Sequence, residues 1–79
     1  MEEIKERIMK FFRENGAKED LTDTTDLFKG GYVNSLFALQ MVMFLEKEFS
    51  IKIPKKEISE KNFKTIEKIA QVVARAKEA

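Results

Sequence analysis

The chain contains no cysteine and no histidine. Without cysteine it can form no disulfide, offer no thiol nucleophile and build no cysteine metal site. Without histidine it lacks the commonest general base and the commonest metal ligand, and every Ser-His pairing is excluded. Net charge is also nearly absent: 15 Lys and Arg stand against 14 Asp and Glu in 79 residues. Basic and acidic residues are interspersed, so no strong field points to nucleic acid or an anionic membrane. No apolar run reaches bilayer-spanning length. Met1-Glu2-Glu3-Ile4-Lys5 does not read as a signal peptide, which makes the cytoplasm the expected location. Internal repeats and low-complexity tracts are missing too. Residues 1–79 are read as one domain, near the size at which a single core is barely sufficient.

What is present is helical periodicity. Ile4, Ile8, Phe11 and Phe12 share one face of a helix over Glu2 to Glu14, and Asn15-Gly16 is a good stop. Ala17 to Asn34 forms a long first loop, above the roughly 12–15 residues at which structureless loops become unusual and often functional. Leu21, Leu27, Phe28, Tyr32 and Val33 can anchor it. Thr22 to Asp26 offer caps and turns, with a short helical turn expected over Thr24 to Phe28. Gly30 and Gly31 give backbone freedom before a corner.

The second helix runs from Ser35 to Phe49, with Ala38, Met41, Val42, Leu45 and Phe49 as its core stripe. Leu36, Leu39 and Met43 lie off that stripe and are apolar as well. A helix apolar nearly all round is usually buried on several sides, yet so short a chain has few elements to bury it. Leu36, Leu39, Gln40, Met43, Glu46 and Lys47 are therefore the candidate partner-docking surface. Leu36 and Met43 favour partner contact, whereas the long loop could equally cover Leu39. Ser50 to Pro54 breaks the helix. Lys55 to Phe63 holds a short helix or turn, and Thr65 caps a last helix from Ile66 to about Lys77. The expected fold is all-α: three main helices, one short helix and the long first loop.

The candidate site is Asn34-Ser35-Leu36. Asn and Ser both accept from the free N–H groups of a first helical turn. A helix N-terminus also carries partial positive charge, which suits a bound or attached phosphate. On these residues alone, a capped helix with nothing attached is the plainer reading.

Asn34-Ser35-Leu36 resembles the Asp-Ser-Leu pattern at the second helix of the acyl carrier proteins. The resemblance continues through Asp26-Leu27-Phe28 with Gly31, Leu45 to Phe49, Ile51 to Pro54 and Phe63-Lys64-Thr65-Ile66, in order along the whole chain. It implies an acyl-carrier-like bundle and covalent 4′-phosphopantetheine on Ser35, flanked by Asn34 and Leu36. A phosphopantetheinyl transferase would install the arm from coenzyme A, and its thiol would carry acyl groups as thioesters. Acyl-loading and acyl-processing enzymes would dock transiently on a monomer that is not itself an enzyme.

Two departures stand out. Asn34 replaces the usual Asp, keeping the cap and losing the charge. Gln40 and Lys47 dilute Glu46 and Glu48, so basic partners of acidic fatty-acid carriers should find this helix a poor target. The runs Val33 to Gln40 and Asn62 to Ile66 look more like carriers of specialised lipid or polyketide-type biosynthesis, including those that hold extender units. The alternative is a helical protein-interaction domain without a prosthetic group. A serine hydrolase would need an activating base that the chain does not offer.

Overall fold

A computed structural model describes residues 2–16 and 21–78, with the side chain of Ser35 outside the description. Three helices carry the fold: α1 (Glu2–Glu14), α2 (Ser35–Phe49) and α3 (Ile66–Glu78). A single 3-10 turn, Lys55–Glu57, lies between α2 and α3, and the described residues contain no strand. The helix limits follow the apolar spacing and the caps. Asn15 Nδ2 donates to the Phe11 carbonyl at 2.8 Å as α1 ends. The Lys68 N–H donates to Thr65 Oγ1 at 3.0 Å as α3 begins.

Ile8 and Phe12 of α1, Met41, Val42 and Leu45 of α2, and Ile66, Ile69, Ala70, Val72 and Val73 of α3 form the buried core. Leu21, Leu27, Val33, Ile51, Ile53 and Phe63 complete it from the connections. Ala38 and Phe49, placed in the core stripe by spacing, are half-buried. Phe49 lies between two cations, with the Arg7 guanidinium 5.7 Å and the Lys77 ammonium 6.0 Å from its ring. Between α1 and α2 the Phe11 ring stacks on Phe44 at 4.2 Å and on Phe37 at 5.6 Å. Aromatic contact thus ties these two helices beyond simple area burial.

One local expectation is corrected. No helical turn forms over Thr24 to Phe28. Asp26 Oδ1 instead accepts from the N–H groups of Phe28 at 3.1 Å and Lys29 at 3.0 Å. With the Gly30 N–H on the Asp26 carbonyl at 2.9 Å, this is the capping pattern of a single turn that starts at Asp26, two residues later than expected. The short helix or turn expected between Lys55 and Phe63 is the 3-10 turn Lys55–Glu57. Ile58 is extended, and Asn62 Nδ2 donates to the Glu57 carbonyl at 3.0 Å, so that carbonyl goes to a side chain.

Candidate functional site

The path to Ser35 is fixed by polar contacts of the loop. Its Leu27 N–H donates to the Lys64 carbonyl at 2.7 Å, and Glu67 of α3 donates back to the Asp23 carbonyl at 2.9 Å. The buried Leu27 side chain and these bonds strap the loop to the start of α3. The Leu27 carbonyl then accepts from Tyr32 at 2.9 Å and Val33 at 3.1 Å, closing a tight elbow. Asp26 holds the other side through the two N–H groups already described, and its carbonyl accepts from Gly30 at 2.9 Å. The Lys29 N–H is the main cause holding the Asp26 carboxyl below its ordinary range, aided by the Lys64 ammonium and the Phe28 N–H against partial desolvation. Lys64 lies 3.8 Å from Asp26 Oδ2.

The glycine pair serves this elbow in two different ways. Gly31 has φ 79, a left-handed conformation that suits glycine. A Cβ on Gly30 would come within 2.9 Å of the Tyr32 ring and 3.1 Å of the Asp26 carbonyl oxygen, so there the constraint is space. Val33 is buried behind the elbow and anchors the chain where it turns into α2.

Asn34 is the N-cap of α2, and Ser35 is its first helical residue. Asn34 Oδ1 accepts from the Phe37 N–H at 2.9 Å, and its carbonyl accepts from the Ala38 N–H at 2.8 Å. The first turn of α2 holds no acidic residue. The attachment expected on Ser35 falls on a side chain outside the described residues.

Beyond Ser35, Leu36 is 69%, Leu39 59% and Met43 70% exposed, and the described loop leaves all three open. Gln40 and Lys47 are exposed beside them. Glu46 differs: it is half-buried and its carboxylate accepts from the Ile53 N–H at 2.9 Å. Its carbonyl accepts from Ser50 and Ile51 at the end of α2. Glu46 therefore fastens the segment after the helix, a role that helical spacing alone did not reveal. Phe28, Ala38, Leu39, Ile58, Ser59, Glu60 and Phe63 line an open cleft of about 270 Å³ one turn along α2 from Ser35. Ile58 and Glu60 were not among the expected site residues, because their approach to α2 is non-local. Among the described residues, no cluster of acidic side chains suits a metal, and no helix is long and apolar enough to cross a membrane.

Residues 2–73 match the family described as "Phosphopantetheine attachment site". The chain is 32% identical over 72 residues to the D-alanyl carrier protein of Streptococcus pyogenes serotype M5 (strain Manfredo), covering 89% of this chain and 90% of that one. It is 35% identical over 57 residues to the D-alanyl carrier protein of Streptococcus uberis, covering 70% of this chain and 72% of that one. Members of this family are non-catalytic and meet modifying transferases and processing enzymes transiently.

The residues present fit a phosphodiester-linked arm. The α2 N-terminus brings partial positive charge, its first turn brings no opposing carboxylate, and the neutral Asn34 caps it. The cleft beside Ala38 and Leu39 offers apolar wall next to α2. By the match over nearly its whole length, the chain belongs to the acyl carrier protein family, whose domain bears covalently attached 4′-phosphopantetheine.

Proposed function

We propose that Ser35 bears the arm and that the chain carries an acyl or aminoacyl group on it as a thioester. One observation carries this reading: Ser35 is the first residue of α2, directly behind the Asn34 cap and at the end of an elbow pinned by Asp26 and Leu27. The arm supplies a thiol, which this chain lacks. The chain's own residues do the rest. Asn34 fixes the helix start, the elbow holds Ser35 at a corner of the fold, and Phe28, Ala38, Leu39 and Ile58 offer the wall along which the arm would lie.

Leu36, Leu39, Gln40, Met43 and Lys47 would form the docking face, with Glu46 at its edge. Exposed apolar area of this kind marks contact surfaces. A modest patch suits partners that must bind and release. The similarity to D-alanyl carriers over most of the chain supports an aminoacyl cargo, such as D-alanyl, ahead of the polyketide-type unit expected from the shorter runs. We place loading in the cytoplasm, the compartment that holds the coenzyme A donor.

The test is intact mass before and after incubation with coenzyme A and a broad-specificity phosphopantetheinyl transferase. The wild-type chain should gain one phosphopantetheine and Ser35→Ala none. A gain in the variant would move the arm elsewhere. No gain in wild type or in Asn34→Asp, with several transferases, would overturn the reading.

A further inference from the structure

The carboxylates from Glu46 to Glu60 divide into those the fold uses and one that it does not. Glu46 accepts from the Ile53 N–H at 2.9 Å. Glu48 lies 3.4 Å from the Arg7 guanidinium of α1, and Glu57 lies 2.7 Å from the Arg75 guanidinium of α3. Glu60 is exposed and its carboxylate has no hydrogen-bond or ion-pair partner among the described residues. The turn that carries it is nevertheless fixed. Phe63 is buried and its N–H donates to the Ser59 carbonyl at 3.0 Å. The Asn62 N–H donates to Ser59 Oγ at 3.3 Å, and Asn62 Nδ2 donates to the Glu57 carbonyl at 3.0 Å.

This carboxylate belongs to the cleft beside Leu39. Phe28, Ala38, Leu39, Ile58 and Phe63 supply its apolar walls, and among the described residues Glu60 is the only charged one that lines it. Of the neighbouring cations, Lys64 lies 3.8 Å from Asp26 Oδ2, and the exposed Lys29 and Lys61 are not part of the lining. Apolar walls with one placed polar group are the make-up of a site that holds a small group and orients it. At about 270 Å³ the cleft falls just below the roughly 300–1,000 Å³ of pockets for drug-sized ligands, which suits a cargo of few heavy atoms. Leu39 is four residues beyond Ser35, about 6 Å along the helix axis, a distance that a flexible arm covers.

We propose that Glu60 is a cargo-recognition residue, whose carboxylate accepts from the α-ammonium of an aminoacyl group while the small cargo side chain lies against the apolar wall. The proposal rests on the arm that the proposed function places on Ser35, and it names the feature of this chain that tells cargoes apart. An acyl group ending in a carboxylate is repelled from the same place, and a neutral one gains only the wall. An exposed ion pair between separate molecules is weak. Here the arm makes the contact intramolecular, at an effective concentration on the order of millimolar.

The test loads the chain without its own loading enzyme. The transferase attaches arms from coenzyme A derivatives bearing D-alanyl, propionyl or malonyl groups, each through a stable amide in place of the thioester, and intact mass confirms each product. D-alanyl and propionyl differ only by the amino group. In the nitrogen-labelled chain the D-alanyl arm should shift the backbone amides of residues 38–39 and 58–63 at least about twofold more than the propionyl arm, and the malonyl arm least. A pH titration of the carbon-labelled alanyl group reads its ammonium directly. Glu60→Gln should reduce the D-alanyl shifts to the propionyl level and lower the ammonium pKa by about 0.5 unit, a difference that narrows as salt rises. Glu60→Lys should lower it further, and both variants should keep the wild-type melting temperature. An ammonium pKa that is the same in wild type and Glu60→Gln would overturn the proposal. So would equal shifts from the D-alanyl and propionyl arms, which would make the cleft an apolar rest for any acyl group. Failure of every arm to attach at Ser35 would end the underlying reading as well, whereas an attached arm indifferent to Glu60 would end this one alone.

Discussion

Helix α2 carries two apolar faces of similar composition, and the fold covers only one. Met41 is 0% exposed and Met43 is 70% exposed, although two residues separate them. Two steps on an α-helix turn the side chain by about 200°, so the pair point in nearly opposite directions. One finds the core it forms with α1 and α3; the other finds no described element over it. Hydrophobicity therefore did not decide burial here. Helical phase and the short supply of neighbouring elements did. Apolar side chains left outward at Leu36, Leu39 and Met43 have no role in the described core, which supports the docking face proposed for them.

The sharpest way to break this comparison is to truncate both methionines. Met41→Ala should lose about 2–5 kcal/mol of stability, because it leaves a cavity in a packed core. Met43→Ala should stay within about 0.5 kcal/mol of wild type. Urea denaturation of the two variants measures both. Equal losses would mean that the outward face is covered in solution. The outward face should instead answer in kinetics. Leu36→Asp and Met43→Asp should slow modification by the transferase by about tenfold, a change of about 1.4 kcal/mol, with the melting temperature held. Unchanged rates in both folded variants would remove the face from docking.

At its N-terminal end α2 depends on polar contacts. Asn34→Ala removes the acceptor for the Phe37 N–H and should cost about 1 kcal/mol. Asn34→Asp keeps the acceptor and adds a negative charge at the positive end of the helix, for a gain of about 0.3–1 kcal/mol. Thermal melts of the two variants should move in opposite directions. A loss in Asn34→Asp would show that a nearby group repels the charge.

The helices and the serine corner were legible in the sequence because their signals are local. Apolar residues three and four apart, Asn15-Gly16 after α1 and Thr65 before α3 each act within a turn or two of chain. The features that were not legible depend on distant residues. Leu27 bonds to Lys64, Asp23 to Glu67, and Glu46 turns its carboxylate toward Ile53. Phe37 and Phe44 stack on Phe11 because α1 lies across α2, a direction that spacing within either helix does not contain. The helical turn expected over Thr24 to Phe28 is displaced for a local reason instead. Asp26 caps a turn with its carboxylate on the Phe28 and Lys29 N–H groups, which starts that turn at Asp26 rather than at Thr24.

Asp26 gives the smallest predicted effect and separates the polar elbow from the apolar core. Its carboxyl lies below the ordinary 3.8, chiefly through the Lys29 N–H and then through Lys64 and the Phe28 N–H. A lowered folded-state value means that the charged carboxylate stabilises the fold above the unfolded value, and that this is lost as pH falls through the folded value. Asp26→Asn keeps a side-chain acceptor and removes the charge. The wild-type advantage in melting temperature should therefore be constant near neutrality, shrink below about pH 4 and vanish in stronger acid. Lys5 provides the opposite slope. Its ammonium donates to Asp23 at 3.2 Å, which is the leading cause that raises its value above 10.5, so its contribution holds below that value and is lost as pH climbs through the raised one. Acid should then loosen the elbow that presents Ser35, and base the clasp that joins α1 to the loop, while Met41 and its neighbours, having nothing to titrate, follow neither. An advantage of wild type over Asp26→Asn that stays flat through the acid limb would mean that turn geometry, without charge, holds the elbow.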